Sequence, residues 1–327
     1  MSELMLLEEL LVSLTQGGQS VLIGIPVLAV MWAIGVSQTH RYYKTYREDP
    51  MLLKYFVGSC LIMSTIIFSG FCFAFYYWVI YCRLPSHYTA LPAIIVTPGL
   101  ALSCYTTVFL PVAVQSFYAL RVWVLSGKNT YLALILIITT LTSAVTGVSA
   151  YCFRLIIQIV TKHFATSIVL VRLDVGGSVI IIYDHFCRVV QTISFACSVA
   201  CDITISLSLA FFLNRRKKEG IKSTQSAVLR LMLYALNIGL ITSIFTLVNV
   251  VTWRTTSPER FTWVIFYSWT GGIYFNSVLV SLNARASIRS RLNAHIPTTL
   301  GRSLLVFDID GTTPDDDIQL ELSSIPL

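Results

Sequence analysis

The apolar stretch Arg188–Leu213 constrains the fold of this chain more than any other segment. It is long enough to cross a lipid bilayer, for which about 20 apolar residues suffice. One acidic residue, Asp202, lies near its middle, and steps of four along a helix place it on one face with Ser194, Ser198 and Ser206. A carboxylate at mid-membrane costs about 2.5–3.5 kcal/mol and is not expected to face lipid. The stretch therefore predicts a membrane helix that other helices surround, with Asp202 facing the interior.

The composition extends this interpretation to the whole chain. Apolar residues make up 55% of the 327 residues and charged residues only 12%, which is well below the usual share in soluble domains. The apolar residues also occur in blocks, which indicates a multi-pass membrane protein in a lipid bilayer. The net charge of +7 is then a topology signal, and no nucleic-acid partner is predicted.

Seven apolar stretches predict an all-α integral membrane protein, a seven-helix transmembrane bundle over residues 20–285. Residues 1–19 carry Glu but no Lys or Arg, unlike a cleaved signal peptide, so the first span is expected to stay in place. Residues 286–327 are predicted to form a tail that is largely disordered. The predicted spans cover residues 20–38, 55–79, 99–120, 131–153, 188–213, 231–253 and 261–282.

The distribution of Lys and Arg predicts the orientation of the bundle. The first, third and fifth loops and the C-terminal tail together contain 16 of these residues, and the remaining segments contain 7. Because cytoplasmic segments carry the excess, the N-terminus is expected outside and the C-terminus in the cytoplasm. The densest cluster is interpreted as a stop-transfer signal, or alternatively as a site for anionic lipid or a cytoplasmic signalling partner. It comprises Arg215, Arg216, Lys217 and Lys218.

The long fourth loop, residues 154–187, has a pattern of its own. Residues 167–175 alternate between two faces, and the β-branched run 179–182 follows Gly176-Gly177. Two strands around a Gly-Gly turn predict a β-hairpin. The alternative is that residues 179–183 begin the fifth helix early.

Three cysteines are predicted to lie near the outer face, where disulfides can form: Cys82, Cys152 and Cys187. A disulfide from Cys187 to either of the others would tie the loop to the bundle. Cys82 is the preferred partner because it lies further from the predicted hydrocarbon. The alternative is three unpaired thiols.

Three motifs together resemble one known family. They are Pro111-Val-Ala-Val-Gln-Ser-Phe-Tyr-Ala-Leu-Arg-Val-Trp, Ala200-Cys-Asp-Ile, and Tyr274-Phe-Asn-Ser-Val-Leu-Val-Ser-Leu-Asn-Ala-Arg. The chain resembles a large fungal, mainly basidiomycete, family of seven-span membrane proteins defined as a domain of unknown function. The resemblance runs from the first span to Arg285. It implies seven spans and, because the family has no assigned activity, it implies no function.

Asp202 is the candidate intramembrane polar site, together with Ser198, Ser206, Asn237 and Asn276. One interpretation is structural: its carboxyl pairs with Ser or Asn side chains of neighbouring helices, Asn249 among them. The other is a contact with an ion, a proton or a ligand.

The function predicted from this architecture is a receptor-like sensor, with the plasma membrane as the favoured location. A transporter or channel is the alternative, although it would call for repeated halves, interrupted helices and several buried charges. A membrane enzyme ranks below both because the sequence contains no catalytic set. No cofactor or metal is predicted.

Overall fold

The computed structural model of the protein describes the backbone of residues 2–81, 98–165, 175–219, 222–255 and 262–294. Side chains are described for residues 22–77, 99–149, 188–212, 239–255 and 262–285 and for a few positions beside these ranges. The described residues form seven α-helices. They are α1 (Ser2–Thr45), α2 (Met51–Val79), α3 (Pro98–Leu125), α4 (Thr130–Ala165), α5 (Val175–Glu219), α6 (Lys222–Thr255) and α7 (Trp263–Ala294).

Five of these helices contain a stretch long and apolar enough to cross a membrane within the part of the chain that the structure describes. The outer faces support this assignment, because large aliphatic side chains such as Leu102, Ile138 and Leu207 are exposed there. A contiguous apolar exterior suits lipid better than water. The apolar stretches are Leu22–Thr45, Met51–Tyr77, Gly99–Leu125, Thr130–Ser149 and Arg188–Phe212.

The helices are longer than the spans predicted from hydropathy. The bilayer limits only the apolar part of a helix, so a polar continuation can stay helical outside it. Accordingly α1 begins at Ser2 within the predicted N-terminal segment, and α7 continues to Ala294 into the predicted tail. The rest of that tail, from residue 295, lies outside the described residues.

The second strand of the predicted β-hairpin is wrong, and the alternative interpretation, in which residues 179–183 already belong to the fifth helix, is confirmed. Residues 175–187 all belong to α5, including Gly176-Gly177 and the β-branched run 179–182. A β-branched residue loses only a few tenths of a kcal/mol in a helix, so continuation of α5 outweighs the local strand preference. Residues 166–174, which hold most of the first predicted strand, lie outside the described residues.

The helices pack in chain order as a ring that closes through α1 and α7. In addition, α3 contacts both α5 and α7, so it lies towards the centre of the bundle. This arrangement brings the inner faces of α3, α5 and α7 together. It encloses the polar stripe of α5, whose members Ser194, Ser198, Asp202 and Ser206 are all buried.

Small residues bring the neighbours of α5 close to this stripe. Ser143 on α4 and Ser194 on α5 exchange hydrogen bonds, each hydroxyl donating to the other's carbonyl at 3.0 and 2.8 Å. Gly147, one turn along α4, leaves little room for a Cβ, which would lie 3.1 Å from the Ser194 Oγ. On α6, a Cβ at Gly239 would overlap the Ser206 side chain. Close helix contacts through small residues are typical of membrane bundles.

Candidate functional site

The Asp202 carboxyl is hydrogen-bonded from two helices. Gln115 on α3 donates through Nε2 to Oδ1 at 2.9 Å, and Tyr274 on α7 donates its hydroxyl to Oδ2. Ser198 lies one turn before Asp202 on α5 and contacts both partners, at 3.0 Å from Gln115 Nε2 and 3.2 Å from Tyr274 Oη. All four side chains are buried. One carboxyl group therefore joins α3, α5 and α7.

A small cavity lies on one side of this carboxyl. Its volume is about 20 Å³, which exceeds the minimum of about 10–15 Å³ that a cavity needs in order to hold one water molecule. The Tyr118 hydroxyl, which is buried and has no hydrogen-bond partner among the described residues, belongs to its lining. The site can therefore hold one small polar guest, such as water, beside Asp202. The lining residues are Tyr118, Asp202, Ile205, Ser206, Leu209, Gly239, Thr242, Tyr274 and Ser277.

The side chains predicted to join Asp202 are only partly brought together. Ser198 contacts the Asp202 partners, whereas the Ser206 hydroxyl donates to the backbone carbonyl of Asp202 at 2.7 Å. Asn276 lies against α1 and donates to the Met31 and Gly272 carbonyls, both at 2.9 Å.

Of the other two asparagines, Asn249 differs from the expectation, whereas the prediction for Asn237 stays a prediction. Asn249 donates to Thr270 Oγ1 at 3.1 Å, so neither it nor Asn276 bonds to Asp202. The backbone of Asn237 belongs to α6, but its side chain lies outside the described ones.

Sequence reasoning does not identify Gln115 or Tyr274 as the partners. The available signal for Gln115 is an amide within the apolar stretch of α3, and apolar spans bury amides only towards other helices. Tyr274 gives no such signal, because tyrosine is common in apolar stretches and at membrane interfaces alike.

A second polar cluster lies at the end of the bundle where α1 meets the α1–α2 turn. Arg285 on α7 forms an ion pair with Asp49 at 2.5 Å between Nη2 and Oδ2, and Tyr42 donates to the same carboxylate at 2.9 Å. The Arg285 guanidinium also stacks on Tyr46, 4.4 Å from the ring centre. Arg285, the final residue of the third motif, thus joins α7 to the α1–α2 turn.

The remaining predicted sites lie at the margins of what the structure describes. Arg215 is exposed on the last turns of α5, and the backbone of Arg216, Lys217 and Lys218 continues the same helix. The side chains of these last three, like that of Cys187, lie outside the described ones. Cys82 lies outside the described residues altogether, so the Cys82–Cys187 disulfide stays a prediction.

The apolar helices and the buried polar core fit a multi-pass membrane protein. Residues 198–287 match the model of a family of unknown function, DUF6534. The match includes Asp202, Tyr274 and Arg285, whereas Gln115 on α3 lies outside it. No curated protein and no solved structure matches the chain. A domain of unknown function is therefore present as predicted, over a shorter range than the resemblance implies, and a fungal origin stays a prediction.

Proposed function

We propose that the protein is a receptor-like sensor of the plasma membrane, with seven spans and an external N-terminus. The observation that carries this proposal is the convergence of α3, α5 and α7 on the Asp202 carboxyl. Hydrogen bonds between membrane helices contribute only about 0.6–1.7 kcal/mol each. A ligand that favours another arrangement of these helices by a few kcal/mol can therefore shift the population between two states.

The geometry supports a sensor over a transporter or channel. Transporter sites are typically formed by discontinuous helices. The apolar stretches of α3 and α5, which flank the carboxyl, each lie within one continuous helix. We further propose, as the sequence predicts, that the protein is not an enzyme and needs no cofactor.

In this proposal, the end of the bundle that carries Arg215 faces the cytoplasm. The basic cluster that begins with Arg215 continues α5 beyond its apolar stretch. A movement of α5 against α3 at the Asp202 level would therefore displace this cluster. That displacement is the signal that a cytoplasmic partner or anionic lipid would read.

The experiment combines a distance measurement with a flux measurement on the same reconstituted protein. Unnatural amino-acid spin labels at Ser126, after α3, and at Asn214, on α5, report the separation of the two helices. Compounds that raise the unfolding temperature of the wild-type protein are then tested for both readouts. If the protein is a sensor, the compound changes the distance distribution between the two labels and is not transported into the proteoliposomes. Accumulation of the compound inside the vesicles, or a current, would replace the sensor proposal with a transporter or channel.

The Tyr274→Phe variant provides the link to the site. It removes the hydroxyl that joins α7 to Asp202 and keeps the ring. The sensor proposal expects the variant to alter the distance distribution before any compound is added, because the α5–α7 hydrogen bond favours one arrangement. Tyr267→Phe is the matched control, since the Tyr267 hydroxyl donates at 2.9 Å to the Cys104 carbonyl on α3 and not to Asp202.

A further inference from the structure

Arg121 on α3 is held in a fixed orientation near the end of the helix. Its guanidinium lies over the Phe117 ring, 4.5 Å from the ring centre, and 5.9 Å from the centre of Tyr118. Its Nη1 donates to Ser281 Oγ on α7 at 2.7 Å. Two aromatic rings and a hydroxyl thus fix the plane and the direction of the group.

The other two nitrogens of Arg121, Nε and Nη2, are buried and have no hydrogen-bond partner in the described part of the chain. Their N–H bonds run parallel along one edge of the guanidinium. Such an edge matches two oxygens of one carboxylate or phosphate group. A buried charge is normally paired, so an edge with two unpaired donors indicates a missing oxyanion.

Arg285, at the same end of the bundle, is an arginine whose charge is paired. Its Nη1 and Nη2 both donate to Asp49, at 3.4 and 2.5 Å, and Tyr42 occupies the same carboxylate. Ser281, which contacts Arg121, lies four residues before Arg285 and hence one turn away on α7. Asp49 is therefore already paired with the Arg285 guanidinium. The group formed by Arg121, Arg285 and Asp49 carries two positive charges and one negative charge.

We propose that Arg121 binds a phosphate-type oxyanion through Nε and Nη2. This inference stands apart from the proposed function, since it uses none of the Asp202 contacts. Arg121 lies four residues before the end of α3 at Leu125, about 6 Å along the helix axis. That depth is within reach of the phosphates of lipid headgroups and of free phosphate from the adjoining solvent.

Arg121 as a residue is partly exposed, while its Nε and Nη2 are covered, so the proposal requires neighbouring side chains to move before an oxyanion reaches this edge. The site differs from the basic cluster that begins with Arg215, because that arginine is exposed at the surface whereas these nitrogens are covered.

The test uses the full chain, purified without phosphate, and three variants. Arg121→Lys keeps the charge but loses the parallel donors, Arg121→Gln loses the charge, and Arg254→Lys is the matched control on an exposed arginine of α6. Inorganic phosphate is titrated against the unfolding temperature. Because hydrogen bonds to charged groups are substantial, we expect the apparent affinity for phosphate to fall at least about tenfold in Arg121→Lys and to stay unchanged in Arg254→Lys.

Lipid nanodiscs distinguish the two sources of phosphate. In discs of phosphatidylcholine alone, free phosphate should stabilise the wild-type protein. If the natural ligand is a headgroup, discs that contain phosphatidic acid should give the same stabilisation and abolish the response to free phosphate. Either result supports the site, provided that the Arg121→Gln variant no longer shows the stabilisation.

Equal phosphate responses in wild type and Arg121→Lys would overturn the proposal. A second measurement needs no variant and covers the case in which the variants fail to fold. Native mass spectrometry of the wild-type protein should retain one phosphate or one anionic lipid per chain at saturating concentration. A chain that retains neither would show that water alone satisfies the two nitrogens, and would also overturn the proposal.

Discussion

The hydroxyl of Tyr274 donates a hydrogen bond to Oδ2 of Asp202, which joins α7 to α5 inside the bundle. The other carboxyl oxygen accepts from Gln115 on α3, so Asp202 has a partner on each side. These contacts show how the bundle accommodates an acidic residue in an apolar helix without exposing it to lipid. They also make the stability of the bundle depend on a few identifiable polar atoms, which the first two predictions use.

Replacement of Asp202 should show whether the stability of the bundle depends on the hydrogen-bonding shape of the carboxyl group or on its charge. Asp202→Asn keeps an oxygen that can accept from Gln115, so we expect a loss in the free energy of unfolding below about 1 kcal/mol. Asp202→Ala leaves buried donors unpaired and should cost about 1–3 kcal/mol. Reversible unfolding in mixed detergent micelles measures both values. Equal losses in the two variants would mean that the site requires a charged carboxylate.

Tyr274→Phe should lower the free energy of unfolding by about 0.6–1.7 kcal/mol, the range for hydrogen bonds between membrane helices. Combined with Asp202→Ala in a double-mutant cycle, it should show a coupling energy, because the two groups share one hydrogen bond. Tyr267→Phe with Asp202→Ala should instead be additive. Additivity in both cycles would contradict the observed pairing.

Gly239→Ala should destabilise the contact between α5 and α6. The added Cβ would overlap the Ser206 side chain, including its Cβ, which cannot move away by rotation. Overpacking of this kind costs about 1–3 kcal/mol. Gly271→Ala is the matched control, because its new Cβ meets the terminal Ile67 Cδ1 at 2.7 Å, a methyl that can rotate aside. The control should lose clearly less in unfolding temperature, and a reversed order would argue against this helix contact.

Asp49→Asn should destabilise the end of the bundle by leaving the buried Arg285 guanidinium without its carboxylate. Removing one partner of a fully buried pair costs about 3–5 kcal/mol, and the partial exposure of Asp49 makes this an upper bound. Asp49→Asn combined with Arg285→Gln should recover part of the loss, because no unpaired charge remains. Thermal unfolding of the four proteins provides the comparison, and a double variant less stable than Asp49→Asn would contradict it.

Reporter fusions after Arg216 and after Arg285 should both report the cytoplasm. The expectation rests on the excess of Lys and Arg in the loops that the orientation places inside. A reporter inserted after Glu9 in the full-length chain should report the external side. A lumenal signal from either of the first two fusions would rule out seven spans with an external N-terminus.

The sequence by itself determined the helical, membrane-spanning character of the chain and the burial of Asp202. Both follow from one-dimensional quantities: the length of an apolar stretch, which the bilayer sets, and the cost of a charge that faces lipid. The same reasoning located the polar stripe from Ser194 to Ser206, because helical periodicity alone decides which residues share a face. Where local pattern competed with helix continuation, as in residues 179–182, the local pattern gave a wrong strand.

Only the tertiary structure decided which side chains meet Asp202. Gln115 and Tyr274 come from helices far away in the sequence, and their contact depends on the rotation and depth at which α3 and α7 pack against α5. Neither hydropathy nor spacing encodes these two quantities. For the same reason the sequence placed Asn276 at the site, while packing turned it towards the Met31 carbonyl on α1. Arg121 likewise directly follows the predicted span 99–120, and the sequence gives no sign that its guanidinium is buried. Only the packing shows that Nε and Nη2 are covered and lack a partner among the described residues.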